Sequence, residues 1–245
     1  MTTSPAHHDL PIGSADVLPS VAATRWPDRA ALRAGARTVT FAELDRTVSR
    51  LAGGLRQRIG GDGLTVAVAA LPGLDFPAAF YAIVRSGNVA APVDARMATD
   101  RFADFLAVTK ASAVVLGRAM YERVRHVLTE RVELVLLLDA PAEPGVLTCA
   151  ELSTGRALPV EPRDRDEREP AAILSGVLTH HELKARAAAF GLSRDAVVLN
   201  ATPYYDPVHL SAALFAGATQ VLSRHPEETP DATHHLTPTG LRAAS

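Results

Sequence analysis

Histidine is the residue of this sequence with the widest chemical use, because a neutral imidazole can bind a metal ion or carry a proton. The chain has nine histidines and a single cysteine, Cys149. His180 and His181 are adjacent and so point to different sides of any helix, while His209, His234 and His235 could join them only through tertiary structure. No His-Glu-x-x-His pattern is present. The sequence therefore predicts no metal site.

The sequence also shows no pattern typical of nucleophilic catalysis. The Gly-x-Ser-x-Gly elbow of serine hydrolases is absent from the sequence. Cys149 stands in Leu-Thr-Cys-Ala without a local activating pattern, and we interpret it as a small packed side chain. We therefore assign no catalytic residue.

The stretch 170–183 places a strand, a turn, a second strand and a helix in very few residues. The apolar runs 171–174 and 177–178 are typical of short strands. Between them lie Ser175 and Gly176, which suit a two-residue hairpin turn in which glycine takes a positive φ. Thr179 and Glu182 have the spacing of a capping box, which predicts a helix from this point.

The segments on both sides of this turn resemble the adenylate-forming superfamily of acyl-CoA synthetases, adenylation domains and luciferases. In that family an Ala-Ala-Ile-Leu-like strand leads into a Ser/Thr/Gly-rich phosphate loop ending in Pro-Lys-Gly, and a Val-Leu-Thr-His segment follows. The segments 37–45, 50–55 and 92–96 resemble the front of the same family, and the resemblance extends from Pro19 to about Leu241.

The phosphate loop of that family is missing here, since only Ser175 and Gly176 remain in its place. A triphosphate needs several converging backbone N–H groups and often a lysine. Charge-assisted hydrogen bonds contribute about 1.5–3 kcal/mol each. The only lysines, Lys110 and Lys184, lie outside the turn. We therefore expect no nucleotide cofactor and no catalysis. The alternative is an ordinary hairpin in an unrelated α/β protein.

A second family position is altered. Tyr204, Tyr205 and Asp206 stand where the family usually has a Pro-x-aromatic-His segment beside its acyl and nucleotide pockets, with Asp206 in place of the histidine. In one interpretation the tyrosines, with Asp206 and His209, line a residual small-molecule pocket. In the other, the tyrosines pack under a loop while Asp206 caps a helix that has Pro207 at its first position.

Strands and helices alternate along the chain that carries these residues. The continuous apolar runs 64–70 and 89–93 are typical of strands covered on both faces. The segment 41–59 follows a capping box at Thr40 and has apolar residues three and four apart, which predicts an amphipathic helix. This alternation predicts an α/β fold with a mostly parallel sheet and helices on both faces. The charged run 161–170 is interpreted as a solvated loop.

Length and composition set outer limits. The 245 residues predict one domain over 14–245 after a flexible 1–13. A net charge of −2 gives no reason to expect nucleic acid or an anionic membrane as a partner. The single cysteine, the lack of a signal peptide and the lack of a run of about 20 apolar residues favour a cytoplasmic protein.

The resemblance covers only the front part of the family's large domain. The segments that hold adenine and ribose in the family, its hinge and its small C-terminal domain have no counterpart in this sequence. We therefore expect a non-catalytic homologue that acts as a binding, scaffolding or regulatory subunit, with a protein partner or as a homo-oligomer. Two alternatives stay open: residual acyl-CoA synthetase activity completed by a partner chain, and a non-catalytic binder of a small carboxylate or acyl ligand.

Overall fold

The computed structural model describes residues 10–59, 62–69, 73–128, 132–138, 146–155, 157–200, 206–223, 229, 231–237 and 240–243. In chain order its elements are α1 (Val17–Arg25), β1 (Ala30–Ala34), β2 (Arg37–Thr40), α2 (Phe41–Ile59), β3 (Thr65–Ala69), α3 (Asp75–Arg85), β4 (Val89–Pro92), α4 (Thr99–Thr109), β5 (Ala113–Leu116), α5 (Arg118–Val124), β6 (Leu134–Leu137), β7 (Leu147–Thr148), α6 (Cys149–Thr154), β8 (Pro170–Ile173), β9 (Val177–Thr179), α7 (His180–Ala188), β10 (Val197–Asn200), α8 (Pro207–Ala216), β11 (Thr219–Leu222), β12 (His234–Thr237) and β13 (Gly240–Ala243).

These strands form two sheets with mostly parallel pairing. The order β7-β6-β5-β3-β4-β8-β9 makes the first sheet, in which only β8 and β9 pair antiparallel. The order β13-β12-β10-β11-β1-β2 makes the second, with antiparallel pairs at its two ends. The predicted α/β class and mostly parallel pairing are confirmed. The division of the strands between two sheets is an addition to the prediction.

The continuous apolar strands are explained by burial on both faces. In β3, Val66 and Val68 point into the main core, while Ala67 and Ala69 point into a second cluster on the other face. The main core also contains Leu32 of β1, so both sheets contribute to it together with α1, α2, α3, α7 and α8. The second cluster is covered by α4 and α5.

Helix starts follow the local signals in the sequence. Thr40 Oγ1 accepts a hydrogen bond from the Glu43 N–H, and the Glu43 carboxylate accepts one from the Thr40 N–H. Thr179 and Glu182 make the same reciprocal pair at the start of α7. Both predicted capping boxes are therefore confirmed.

Two helices of the main core are joined by a buried hydrogen bond. The hydroxyl oxygens of Tyr81 in α3 and Ser211 in α8 lie 2.7 Å apart. Burial raises the pKa of the Tyr81 phenol, so the group stays protonated in this contact.

Within the described residues, no helix has the length and apolar character needed to cross a bilayer.

Candidate functional site

The β8–β9 hairpin forms one lateral edge of the first sheet. β8 pairs in parallel with β4 through Ala172 and Ala90, and Ile173 lies opposite Val177 in the hairpin. The turn follows the carboxyl end of β8 and therefore lies on the side where the parallel strands end. Open α/β sheets bind their ligands on that side. Ser175 and Gly176 are thus placed where a ligand of such a sheet would be expected.

The turn differs from the prediction in two details. Leu174 lies outside β8, so the connection has three residues instead of two, and the Leu174 N–H donates to the Gly176 carbonyl at 2.9 Å. The predicted positive φ at Gly176 is also wrong, because the described residues with positive φ lie elsewhere. The additional residue lets the chain reverse its direction without a left-handed conformation.

Few groups in this turn could hold a phosphate. The Leu174 N–H is already bonded, which leaves the N–H groups of Ser175 and Gly176. Both residues are exposed, and a Cβ added to Gly176 would meet no described atom within 4 Å. No other described part of the chain therefore closes over Gly176 to form a cradle. The residues present do not fit the several converging donors that a triphosphate needs.

The lysine closest in sequence to the turn is committed to another role. Lys184 of α7 is fully buried, and its Nζ donates to the Pro11 carbonyl, to the Gly13 carbonyl at 2.6 Å and to Glu167 Oε1 at 2.7 Å. These three bonds use all three ammonium hydrogens. Lys184 therefore cannot offset the charge of a phosphate beside Gly176.

The charged run 161–170 is an irregular segment, but its interpretation as a purely solvated loop is wrong. Glu167 accepts a hydrogen bond from the Lys184 ammonium and a second one from the Gly13 N–H at 3.1 Å. Arg163 lies 3.2 Å from the Asp62 carboxylate. The run thus fixes the segment before α1 to the start of α7. Its partners lie far away along the chain, and sequence periodicity does not show them.

His180 adds a further tie to the same segment. Its imidazole is buried, and Nδ1 accepts a hydrogen bond from the Ala15 N–H at 3.1 Å. Nε2 has no hydrogen-bond partner among the described residues. Burial lowers the pKa of His180, which favours the neutral form that can accept at Nδ1. His180 therefore positions backbone.

Arg85 forms the second buried charge cluster that the sequence interpretation missed. The side chain is fully buried at the end of α3. Its guanidinium donates to Asp45 Oδ1 at 2.9 Å, Ser49 Oγ at 2.7 Å, the Asp16 carbonyl at 2.7 Å and Ser20 Oγ at 2.9 Å. The carboxylate of Asp16 lies 3.4 Å away. The available signal was an arginine at the end of α3, directly after the mainly apolar run 76–84.

The residual pocket predicted around the two tyrosines is only partly described. Tyr204 and Tyr205 lie outside the described residues. Asp206 is the N-cap of α8, with its carboxylate accepting the Val208 N–H at 2.8 Å, which confirms the predicted cap. The His209 ring packs edge-on against Phe190 at 5.3 Å. Burial lowers the pKa of His209, while the Asp206 carboxylate acts in the opposite direction.

The predicted pocket of Tyr204, Tyr205, Asp206 and His209 stays a prediction, because the two tyrosines lie outside the described residues. Cavities of about 670 Å³ and about 560 Å³ lie elsewhere, the first between α1, α7 and α8 and the second beside α4. In the described part of the chain, no group of three His, Cys, Asp or Glu side chains could hold a metal ion. Cys149 lies in the main core, as its interpretation as a packed side chain requires.

Comparison with family models gives one match. A model described as AMP-binding enzyme matches residues 20–241. Comparison with curated proteins gives no match.

Solved structures give many matches. The apo structure of MbtA from Mycobacterium smegmatis is 26% identical with a TM-score of 0.74, covering 89% of this chain and 45% of that chain. A benzoate CoA ligase from Burkholderia xenovorans is 19% identical with a TM-score of 0.76, covering 86% and 45%. A long-chain-fatty-acid-CoA ligase from Archaeoglobus fulgidus is 18% identical with a TM-score of 0.77, covering 91% and 49%. The two ligases show the fold alone, and this chain spans less than half the length of each of the three structures.

Replacement of Arg85 by methionine is expected to lower the free energy of unfolding by about 3–5 kcal/mol, because Asp16 would remain buried without its cation. Urea denaturation measures the loss. Arg96→Met is the matched control, since Arg96 pairs with Asp94 at the surface and its loss should change stability little. Equal effects of the two substitutions would contradict the assigned role of Arg85.

The Glu167–Lys184 pair is expected to make stability depend on pH. The hydrogen bond from Lys184 holds the pKa of the Glu167 carboxyl below its usual value. A lowered folded-state pKa gives stability that is present above the unfolded value of about 4.3 and is lost as the pH falls through the folded value. The difference in unfolding free energy between the parent and Glu167→Gln should therefore shrink below about pH 4.3.

This difference is best measured by urea denaturation in a His181→Asn background. The His181 ring lies 3.2 Å from Glu167 and is a second side-chain partner of this carboxylate, which the substitution removes. A difference that stays constant down to the acid limit of folding, or grows there, would show that the carboxylate is not stabilised by Lys184.

Proposed function

This chain belongs to the AMP-binding enzyme family, as its sequence resemblance predicts, and from that premise we propose that it is a non-catalytic member that acts by binding. The observation that carries this proposal is the turn between β8 and β9. The family resemblance places a Ser/Thr/Gly-rich phosphate loop at this position. Here three residues join the strands, the half-buried Leu174 and the exposed Ser175 and Gly176.

The size of the lost interaction supports the proposal. Each charge-assisted hydrogen bond to a phosphate is worth about 1.5–3 kcal/mol. The turn retains at most two backbone donors, at Ser175 and Gly176, and Lys184 is bonded elsewhere. The loss of even three such bonds would weaken ATP binding by roughly 4.5–9 kcal/mol, which is more than a thousandfold.

The altered position at Asp206 points the same way. Its carboxylate accepts the Val208 N–H as a helix cap. An ionised carboxylate only accepts hydrogen bonds, and its negative charge repels that of a nucleotide or an acid substrate. This substitution therefore disfavours the ligands that the family resemblance would place there.

We also propose that the chain works with a protein partner, either a second copy or another protein. The outer strands of the two sheets are β7, β9, β2 and β13 in the described part of the chain. An outer strand presents backbone groups that can pair with a further strand. Val177 lies in the outer strand β9 and is 61% exposed, which supports an apolar contact at the β9 edge of the first sheet.

Carboxylate-dependent ATP–pyrophosphate exchange tests the loss of catalysis. The purified chain is incubated with ATP, Mg²⁺, labelled pyrophosphate and a panel of aliphatic and aromatic acids. We expect exchange no higher than in samples without the chain, while the benzoate CoA ligase from Burkholderia xenovorans serves as the positive control.

A calorimetric titration with ATP should likewise give no saturable binding. Exchange above background, by the chain alone or after addition of lysate from the native host, would overturn the proposal. That result would support the alternative of residual adenylation, with or without a completing partner.

Sedimentation velocity tests the partner proposal. We expect a concentration-dependent homo-oligomer, or a larger species when the chain is isolated from its native host. Val177→Lys should shift either species toward the monomer, because a charge at an exposed edge opposes strand pairing. A monomer at every concentration that also copurifies with no other protein would overturn this proposal.

A further inference from the structure

A cavity of about 560 Å³ lies beside α4, away from the sites considered above. Ala103, Leu106, Ala107 and Lys110 form one of its walls and follow the spacing i, i+3, i+4 and i+7 of a single helix face. The short side chains of the two alanines leave the space open. Val127 and Val132 line the cavity as well. Its walls are thus mainly apolar, and its volume is in the range of small-molecule sites.

Two polar groups of this cavity have no partner among the residues that the structure describes. Ser112 lines it, and its buried hydroxyl has no hydrogen-bond partner among the described residues. Lys110 lines its edge with an exposed side chain. Among the residues that the structure describes, the Lys110 Nζ makes no hydrogen bond or ion pair. An ammonium and a hydroxyl beside an apolar surface are complementary to an acid group on an apolar body.

The backbone of Lys110 is an independent sign that its side chain is used. Lys110 follows α4 in the left-handed region, with φ 52° and ψ 39°. It is the only non-glycine residue with a positive φ in the described part of the chain. Glycine takes this conformation at lower cost and is the usual residue at such a helix end. A lysine here keeps a strained backbone and places its cation at the edge of the cavity.

The cavity lies at the amino end of the parallel strands of the first sheet, whereas the β8–β9 turn lies at their carboxyl end. Ser112 immediately precedes β5, and its N–H donates to the carbonyl of Thr65 at the start of β3. Strands β3 and β5 are parallel, so this is their amino end, whereas the turn follows the carboxyl end of β8. A ligand here would not occupy the position of the lost phosphate loop.

We propose that this cavity binds a small amphipathic monocarboxylate, with its carboxylate on the Lys110 ammonium and its apolar body against Ala103, Leu106 and Val132. The Ser112 hydroxyl donates to the ligand. The acidic side chains of Asp104 and Glu133 are not among the lining residues, so they do not stand in the path of the carboxylate. This site goes beyond the proposed loss of adenylation and holds whether or not the chain turns over ATP.

Octanoate is a suitable probe, with octanol as its uncharged counterpart. Isothermal titration of the full chain should show saturable octanoate binding at one site. Lys110→Met should weaken octanoate binding by at least tenfold and leave octanol binding within twofold, because only the acid uses the cation. Ala107→Phe should weaken the binding of both octanoate and octanol, because the larger side chain fills the cavity.

Arg101→Met is the matched control. Arg101 is an exposed cation of the same helix that does not line the cavity, so its loss should leave octanoate affinity within twofold. Lys110→Gly should also lose octanoate binding but melt no lower than the parent, since glycine suits the left-handed position. That pattern separates loss of the ligand from loss of the fold.

Several results would overturn the site. These are non-saturable octanoate binding, an affinity unchanged by Lys110→Met or Ala107→Phe, and an equal loss in Arg101→Met. A Lys110→Gly variant that melts well below the parent would show that the lysine serves the fold. None of these outcomes depends on the exchange assay, so failure of this site and failure of the proposed function are distinguishable.

Discussion

The removal of two positive charges from water is the constraint on which this structure depends. Arg85 and Lys184 are both fully buried, and a buried cation without partners would cost several kcal/mol. Both find acceptors in the short segment before α1, where Lys184 takes the carbonyls of Pro11 and Gly13 and Arg85 takes that of Asp16. Since Arg85 belongs to α3 and Lys184 to α7, one segment fixes two helices of the main core. Their relative position is therefore set by hydrogen bonds of defined geometry as well as by apolar packing, which alone would tolerate several arrangements.

The residues that stabilise the fold are different from those that would bind a nucleotide. The pairing of β4 with β8, the β8–β9 hairpin and the start of α7 at its capping box need no residues between Ile173 and Val177 other than a turn. The charge clusters of Arg85 and Lys184 likewise make no use of Ser175 or Gly176. A sheet of this family can therefore close without a phosphate loop, and its stability gives no reason to retain one.

Local signals predicted much of the fold, and long-range contacts account for what was missed. The capping boxes at Thr40 and Thr179 and the cap at Asp206 depend on residues two or three positions apart, so the sequence shows them directly. The division into two sheets depends on strand partners far apart in the chain, such as β1 with β11. The partners of Lys184 at Gly13 are 171 residues away, and those of Arg85 at Asp16 are 69 residues away. The wrong interpretation of 161–170 has the same origin, because a charged run looks solvated until its buried partner is known.

The positions of the two lysines show that a phosphate at the β8–β9 turn would have neither of them as its cation. An inserted glycine-rich loop would supply backbone donors, but the phosphate charge would still need a nearby cation. Lys184 is in the next helix, yet moving its ammonium to the turn would break its bonds to Glu167 and to the carbonyls of Pro11 and Gly13. Lys110 is at the amino end of the first sheet, on the far side from the turn. A restored site would therefore need a new cation within the loop itself, which is where the family resemblance places its Pro-Lys-Gly lysine.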